Sequence, residues 1–194
     1  MMMRGLAWIF ICLTLPTLAW ANPTELAHRD PWAIWKQPGV HAVMRHATAP
    51  GTGDPEGFTL GVCSTQRNLS AAGRAEARAF GQRVRSNGVR ISKVYSSQWC
   101  RCKHTAQELA LGDAVELPAL NSFFQERDKS GEQTRALLAF IEKLPPNENV
   151  LFVTHQVNIT SLTGVYPSPG EVVLFRFENG QVKVVGQIEA TPDR

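Results

Sequence analysis

Two apolar runs about a hundred residues apart each lead into a histidine: Val40-His41-Ala42-Val43-Met44 runs into Arg45-His46, and Val150-Leu151-Phe152-Val153-Thr154 runs into His155. Short, continuous apolar runs rich in valine predict strands buried on both faces. Elsewhere the period changes. Ala77, Phe80 and Val84 recur at helical spacing over 70–86, with Ser70 as N-cap and Asn87-Gly88 as the stop. Leu137, Ile141 and Leu144 do the same over 132–144, closed by Pro145-Pro146. A short helix is predicted over 30–35, with Asp30 as cap and Pro31 at its first position, and a longer one over 98–111 capped by Ser97. A further short helix fits 156–163. Strands are predicted over 89–95, 115–120, 171–177 and 181–188, the last two around the hairpin signal Glu178-Asn179-Gly180. Strands alternating with helices and closed by a hairpin predict an α/β fold: a three-layer α/β/α sandwich around a mostly parallel sheet. Residues 47–67 show no period and are rich in Gly, Pro, Thr and Asp. A loop of that length in a compact domain is more often functional than idle.

The 194 residues suit one domain. Residues 1–21 have the pattern of a secretory signal peptide: Arg4, then the apolar run Leu6–Leu18, then Ala19-Trp20-Ala21 as a small-x-small cleavage site. That leaves 22–194 as the domain. The apolar run falls short of the roughly 20 residues of a spanning helix, so no stable membrane span is expected once it is cleaved. The expected location is outside the cytoplasm, in the bacterial periplasm. An oxidising compartment permits disulfides. Of Cys63, Cys100 and Cys102, the last two are too close to bridge each other without strain, so Cys63 is expected to pair with one of them. Net charge is +3, or +2 without Arg4. That is too weak to point to nucleic acid or to a membrane surface. The pattern leaves the oligomeric state open.

In open α/β sheets ligands bind beyond the carboxyl ends of the strands. The first strand brings Arg45 and His46 there. The second brings Ser96 and Ser97, with Arg101 in the first turn of the following helix, and the 150–154 strand brings Thr154 and His155. If these strands are neighbours, two arginines and two histidines converge beside a helix N-terminus. Such a place suits a dianion such as a phosphoryl group, and the planar guanidinium fork pairs with two phosphate oxygens at once.

At these residues the chain resembles the histidine phosphatase superfamily, which includes the cofactor-dependent phosphoglycerate mutases. Arg45-His46-Ala47 matches that family's Arg-His-Gly motif with alanine in place of glycine. Asn68-Leu69-Ser70 with Gly73 and Ala77 matches the start of its first long helix, Ser96-Ser97 through Arg101 and Thr105-Ala106 match its second segment, and Thr154-His155 matches its second histidine. The likeness covers about 40–165. It implies a phosphoglycerate mutase-like fold and a phosphatase in which His46 attacks phosphorus and forms a phosphohistidine that water then hydrolyses. Arg45, Arg101 and His155 would bind the phosphoryl oxygens and stabilise their charge. No metal and no cofactor are implied.

The proton donor for the leaving group departs from the family pattern. Gln156 follows the second histidine, where one branch carries an acid, and Asn121-Ser122 falls where the other branch carries a glutamate. The nearest acids are Glu126 and Asp128, with Asp54 in the loop after His46; Glu126 is the expected donor. Arg67 fits substrate contact and a structural role equally well. The expected substrate is a small-molecule or glycan phosphomonoester. Two other readings compete: an inactive relative that only binds phosphorylated ligands, and a metal site built from Cys63, Cys100, Cys102 and His104.

Overall fold

The computed structural model describes residues 30–191; the expected signal segment lies outside the described residues. Helix α1 (Pro31–Trp35) begins as its sequence predicts, the Asp30 carboxylate accepting from Trp32 N–H. β1 (His41–Arg45) follows, then the long loop with one 3₁₀ turn at Cys63–Thr65. Next come α2 (Ala71–Ser86), β2 (Lys93–Ser96), α3 (Cys100–Leu109), β3 (Ala114–Glu116), α4 (Ser130–Ile141), β4 (Val150–Thr154), α5 (Gln156–Thr163), β5 (Val172–Glu178) and β6 (Gln181–Ile188).

One six-stranded sheet runs in the order β3-β2-β4-β1-β5-β6. The first four are mutually parallel, and β5 returns antiparallel to β1 before the β6 hairpin closes the sheet. Alternation along β1 sends Ala42 and Met44 to the side where Trp35, Phe80, Val84 and Leu109 pack, and Val43 to the side of Leu137, Ile141 and Ile159. Helices α1–α3 therefore cover one face and α4–α5 the other, giving the three layers. Because β4 lies between β2 and β1, with Arg45 opposite Thr154 and Ser96 opposite Val153, the carboxyl ends of all three strands are level and adjacent.

Two glycines allow close backbone approach. A Cβ on Gly73 would stand 2.1 Å from the Thr48 carbonyl oxygen, and one on Gly81 would stand 2.0 Å from that of Leu109. The first lets the loop after His46 lie on α2; the second lets α2 and α3 close together.

Several boundaries differ from the sequence expectation, among them the second strand, which begins only at Lys93 and not at 89. The predicted 115–120 strand ends at Glu116, because Pro118 opens a 3₁₀ turn and brings no N–H to a ladder. The predicted 98–111 helix begins at Cys100 with Trp99 at its cap position. The Ser97 hydroxyl accepts from Trp99 N–H and is engaged as well with His155 and Asn121. Helix α4 begins at Ser130, two residues earlier than its apolar period indicates, because a 3₁₀ turn at Arg127–Lys129 feeds it.

The disulfide joins Cys63 to Cys100, 37 residues apart, and Cys102 is the free, buried thiol. The bond ties the long loop to the first residue of α3. Closing a loop of this size constrains the unfolded chain by about 2–4 kcal/mol. Cys63→Ser is expected to lower the denaturation midpoint of the oxidised protein accordingly; an unchanged midpoint would show that the crosslink adds no stability.

Candidate active site

The level strand ends bring the predicted residues into one cleft. Arg45, His46, Arg101 and His155 all line it, joined by Asp54 and Arg67 from the loop and its end, and by Trp99. His46 is 3% exposed, and its Nδ1 lies 2.9 Å from the Ala47 carbonyl. A carbonyl can only accept, so Nδ1 carries the proton and Nε2 keeps its lone pair. The loop that provides this carbonyl is held by Thr105, whose hydroxyl accepts from Ala47 N–H and donates to the Arg101 carbonyl.

His155 stands edge-on to His46 with ring centroids 5.6 Å apart. Its Nδ1 is 3.3 Å from Arg101 Nη2 and so accepts, while Nε2, 2.9 Å from the Ser97 hydroxyl, donates. Ser97 passes its own proton to Asn121 Oδ1. The two residues at the family's acid position thus do different things: Asn121 orders this chain, and Ser122 lines the cleft.

Arg101 is the most constrained cation. Its Nη1 lies 2.8 and 3.1 Å from the two Asp54 oxygens, and both side chains are almost fully buried. Asp54 also accepts from Trp99 Nε1 at 3.0 Å and from Arg67 N–H at 3.1 Å. Arg67 in turn donates to the Gly53 and Ala49 carbonyls, and Arg45 to that of Pro167 at 2.9 Å. Two donors are left over: Nε of Arg45 and Nε of Arg101 are buried with no partner. Buried N–H groups are rarely left unsatisfied. Both belong to side chains that line the cleft beside a neutral histidine.

The expected acid, Glu126, is not brought to the cleft. It lies on the exposed approach to the 127–129 turn, 57% exposed and paired with Lys129. Asp128 is exposed on the same turn. A 3₁₀ turn there faces both carboxyls outward, which residue spacing alone does not reveal. Asp54 is the carboxylate that lines the cleft, and its oxygens are occupied holding Arg101, Trp99 and the loop backbone. Arg67, equally suited by sequence to either role, reaches the cleft wall. Its position just before a capped helix was the signal available. The cysteine and histidine cluster does not assemble: Cys63 and Cys100 are bonded to each other, Cys102 packs on His155, and His104 faces Arg74. Burial pushes the Cys102 thiol up to about 12.

Residues 43–129 match the model of the histidine phosphatase superfamily, branch 1. Over that stretch, a little under half of its length, the chain is similar to the histidine phosphatase superfamily. The protein histidine phosphatase SixA, solved with tungstate, superposes with TM-score 0.57 at 18% identity, covering 78% of this chain and 97% of that one. Phosphoserine phosphatase from Entamoeba histolytica, complexed with 3-phosphoglyceric acid, gives TM-score 0.56 at 15% identity over 77% and 96% of the two chains. The alpha-ribazole phosphatase from Shigella flexneri gives 0.56 at 16% over 75% and 94%. At these identities the likeness is one of fold. No curated protein matches the chain in sequence.

The electrostatics of this site favour neutral histidines. Burial, with Arg101, Arg67 and Arg45 acting in the same direction, lowers His46 to about 3 against the opposing Ala47 hydrogen bond. Burial, then Arg101 and His46, hold His155 well below its ordinary value. Burial also lowers His41, which packs on Phe175 at the opposite end of β1. All three histidines take up a proton near pH 6.5 once unfolded. Between that pH and the folded values the unfolded state binds more protons, so stability is full above about pH 6.5 and falls as pH drops. The denaturation midpoint is expected to decline from pH 7 to 4, with a shallower slope in His46→Asn. Identical slopes would contradict the burial of His46 as a neutral base.

Proposed function

We propose that the protein is a phosphatase that cleaves phosphomonoesters outside the cytoplasm through a phosphohistidine on His46, without a metal ion. The observation that carries this reading is the pair of unpartnered buried donors, Arg45 Nε and Arg101 Nε, lining the same cleft as a histidine whose tautomer leaves Nε2 as a nucleophile. The fold relatives support it. One was solved with tungstate, a tetrahedral oxyanion, and three bear the names of phosphatases.

In this mechanism the phosphoryl oxygens take the free guanidinium N–H groups of Arg45 and Arg101. Arg67 adds charge from the loop side. The Nε2 of His46 attacks phosphorus as the P–O bond to the leaving group breaks, and the proton stays on Nδ1, donated to the Ala47 carbonyl. The leaving oxygen takes its proton from a solvent water at the open mouth of the cleft. Water then breaks the P–N bond, releasing inorganic phosphate and regenerating neutral His46. A depressed His46 keeps the nucleophile unprotonated across the working pH range. Asp54 holds Arg101 in place and offsets part of the arginine charge while the site is empty. The export pattern of residues 1–21 and a disulfide beside the site support an oxidising compartment.

The test is turnover. The oxidised protein is expected to hydrolyse an aryl phosphate equally well with and without EDTA, with orthovanadate inhibiting. His46→Ala should reduce kcat by about a thousandfold or more, as removal of a nucleophile does. Loss of activity in EDTA would refute metal independence. Phosphate-dependent thermal stabilisation with no turnover of any monoester would instead assign the protein to the inactive, ligand-binding reading.

A further inference from the structure

The cleft walls are of two kinds. The floor carries every charge that lines the site: three arginines (45, 67 and 101) against Asp54, leaving two positive charges beside neutral histidines. That matches one phosphoryl dianion. The mouth holds no charged lining residue. Its walls are the rings of Trp99, Phe124 and Tyr166, interspersed with Thr52, Gln125 and Ser122. Tyr166 is 74% exposed, the most exposed large apolar side chain among the described residues. The Arg127 guanidinium lies over the Phe124 ring, 5.0 Å from its centroid. Trp99 is fixed by its bond to Asp54 and by Phe58. The side chains of Thr52, Gln125 and Tyr166 take no hydrogen-bond partner among the described residues.

We infer that this mouth is a leaving-group subsite for an uncharged ring bearing hydroxyls, the chemistry of a phosphorylated cyclic polyol rather than a phosphorylated amino or carboxylic acid. This deepens, and rests on, the phosphatase reading. The C–H face of such a ring is weakly positive and packs on the negative face of an aromatic ring. Its hydroxyls meet the uncommitted hydroxyl and amide groups. A carboxylate or second phosphate would find no lining cation beyond those that the transferred phosphoryl group already uses, and would pay its desolvation uncompensated.

The experiment compares kcat/KM for three esters of primary alcohols, so that leaving-group acidity stays nearly constant: glucose 6-phosphate, glycerol phosphate and phosphoserine. The expected order is the ring first, by about tenfold over phosphoserine, which corresponds to one decade of transition-state discrimination, with glycerol phosphate between. Tyr166→Ala and Phe124→Ala should each shrink the ratio of glucose 6-phosphate to glycerol phosphate by raising KM for the former. Phosphoserine turned over as well as the sugar ester, or a ratio unmoved by both variants, would overturn the inference while leaving the phosphatase reading intact. Absence of turnover for all three and for an aryl phosphate would overturn the phosphatase reading itself.

Discussion

The site depends on one buried ion pair, Arg101 with Asp54. Three guanidinium groups and two imidazoles share a partly dry cleft, where like charges interact far more strongly than in water. A fully buried arginine without a partner would be costly. Asp54 meets that cost and does more. It comes from the middle of the long loop, whereas Arg101 comes from the first turn of α3, so their contact seats the loop on the sheet's carboxyl edge. The Cys63–Cys100 bond and the Trp99–Asp54 hydrogen bond fasten the same seam on either side. The prediction that Cys63→Ser lowers the unfolding midpoint measures one part of that seam.

The seam also explains how the two histidines come to differ. His46 is oriented by a backbone carbonyl that leaves its outer nitrogen free, while His155 is engaged at both nitrogens, by Ser97 and by Arg101. One histidine is a base with an open lone pair; the other braces the cation that will meet the phosphoryl group. The His155 Nδ1 accepts from Arg101 and so offers no proton to a phosphoryl oxygen. The cleft is thus organised before ligand arrives, with two donors held dry and unpaired. Local energy of that kind is typically found at functional sites, where the rest of the fold supports it.

Most of this was legible in the sequence, for identifiable reasons. Strand ends are marked by where an apolar run stops, so the sequence alone places Arg45-His46 and Thr154-His155 at the rim. Helix α2 announced itself by period and by the Ser70 cap, and the hairpin by Asn179-Gly180. What could not be read was contact across long separations. Asp54 and Arg101 are 47 residues apart, and nothing local distinguishes Asp54 from Glu126 or Asp128 as the acid that enters the cleft. A loop without periodicity carries no rule for which way its carboxyls face. Ser97 looked like a helix cap because its local pattern fits one; its hydroxyl does meet the Trp99 N–H, and it also holds a buried histidine nitrogen, a contact 58 residues away that no local pattern shows.

The central claim is that His46 is a nucleophile rather than a ligand-holding side chain. The direct measurement is to mix the protein with a phosphate-labelled aryl ester, quench in alkali within the first turnover, and locate the label by peptide mass. The account predicts an acid-labile, alkali-stable phosphoryl group on His46, absent in His46→Ala. Label on another residue, or full turnover with no covalent phosphoryl species at any quench time, would contradict it.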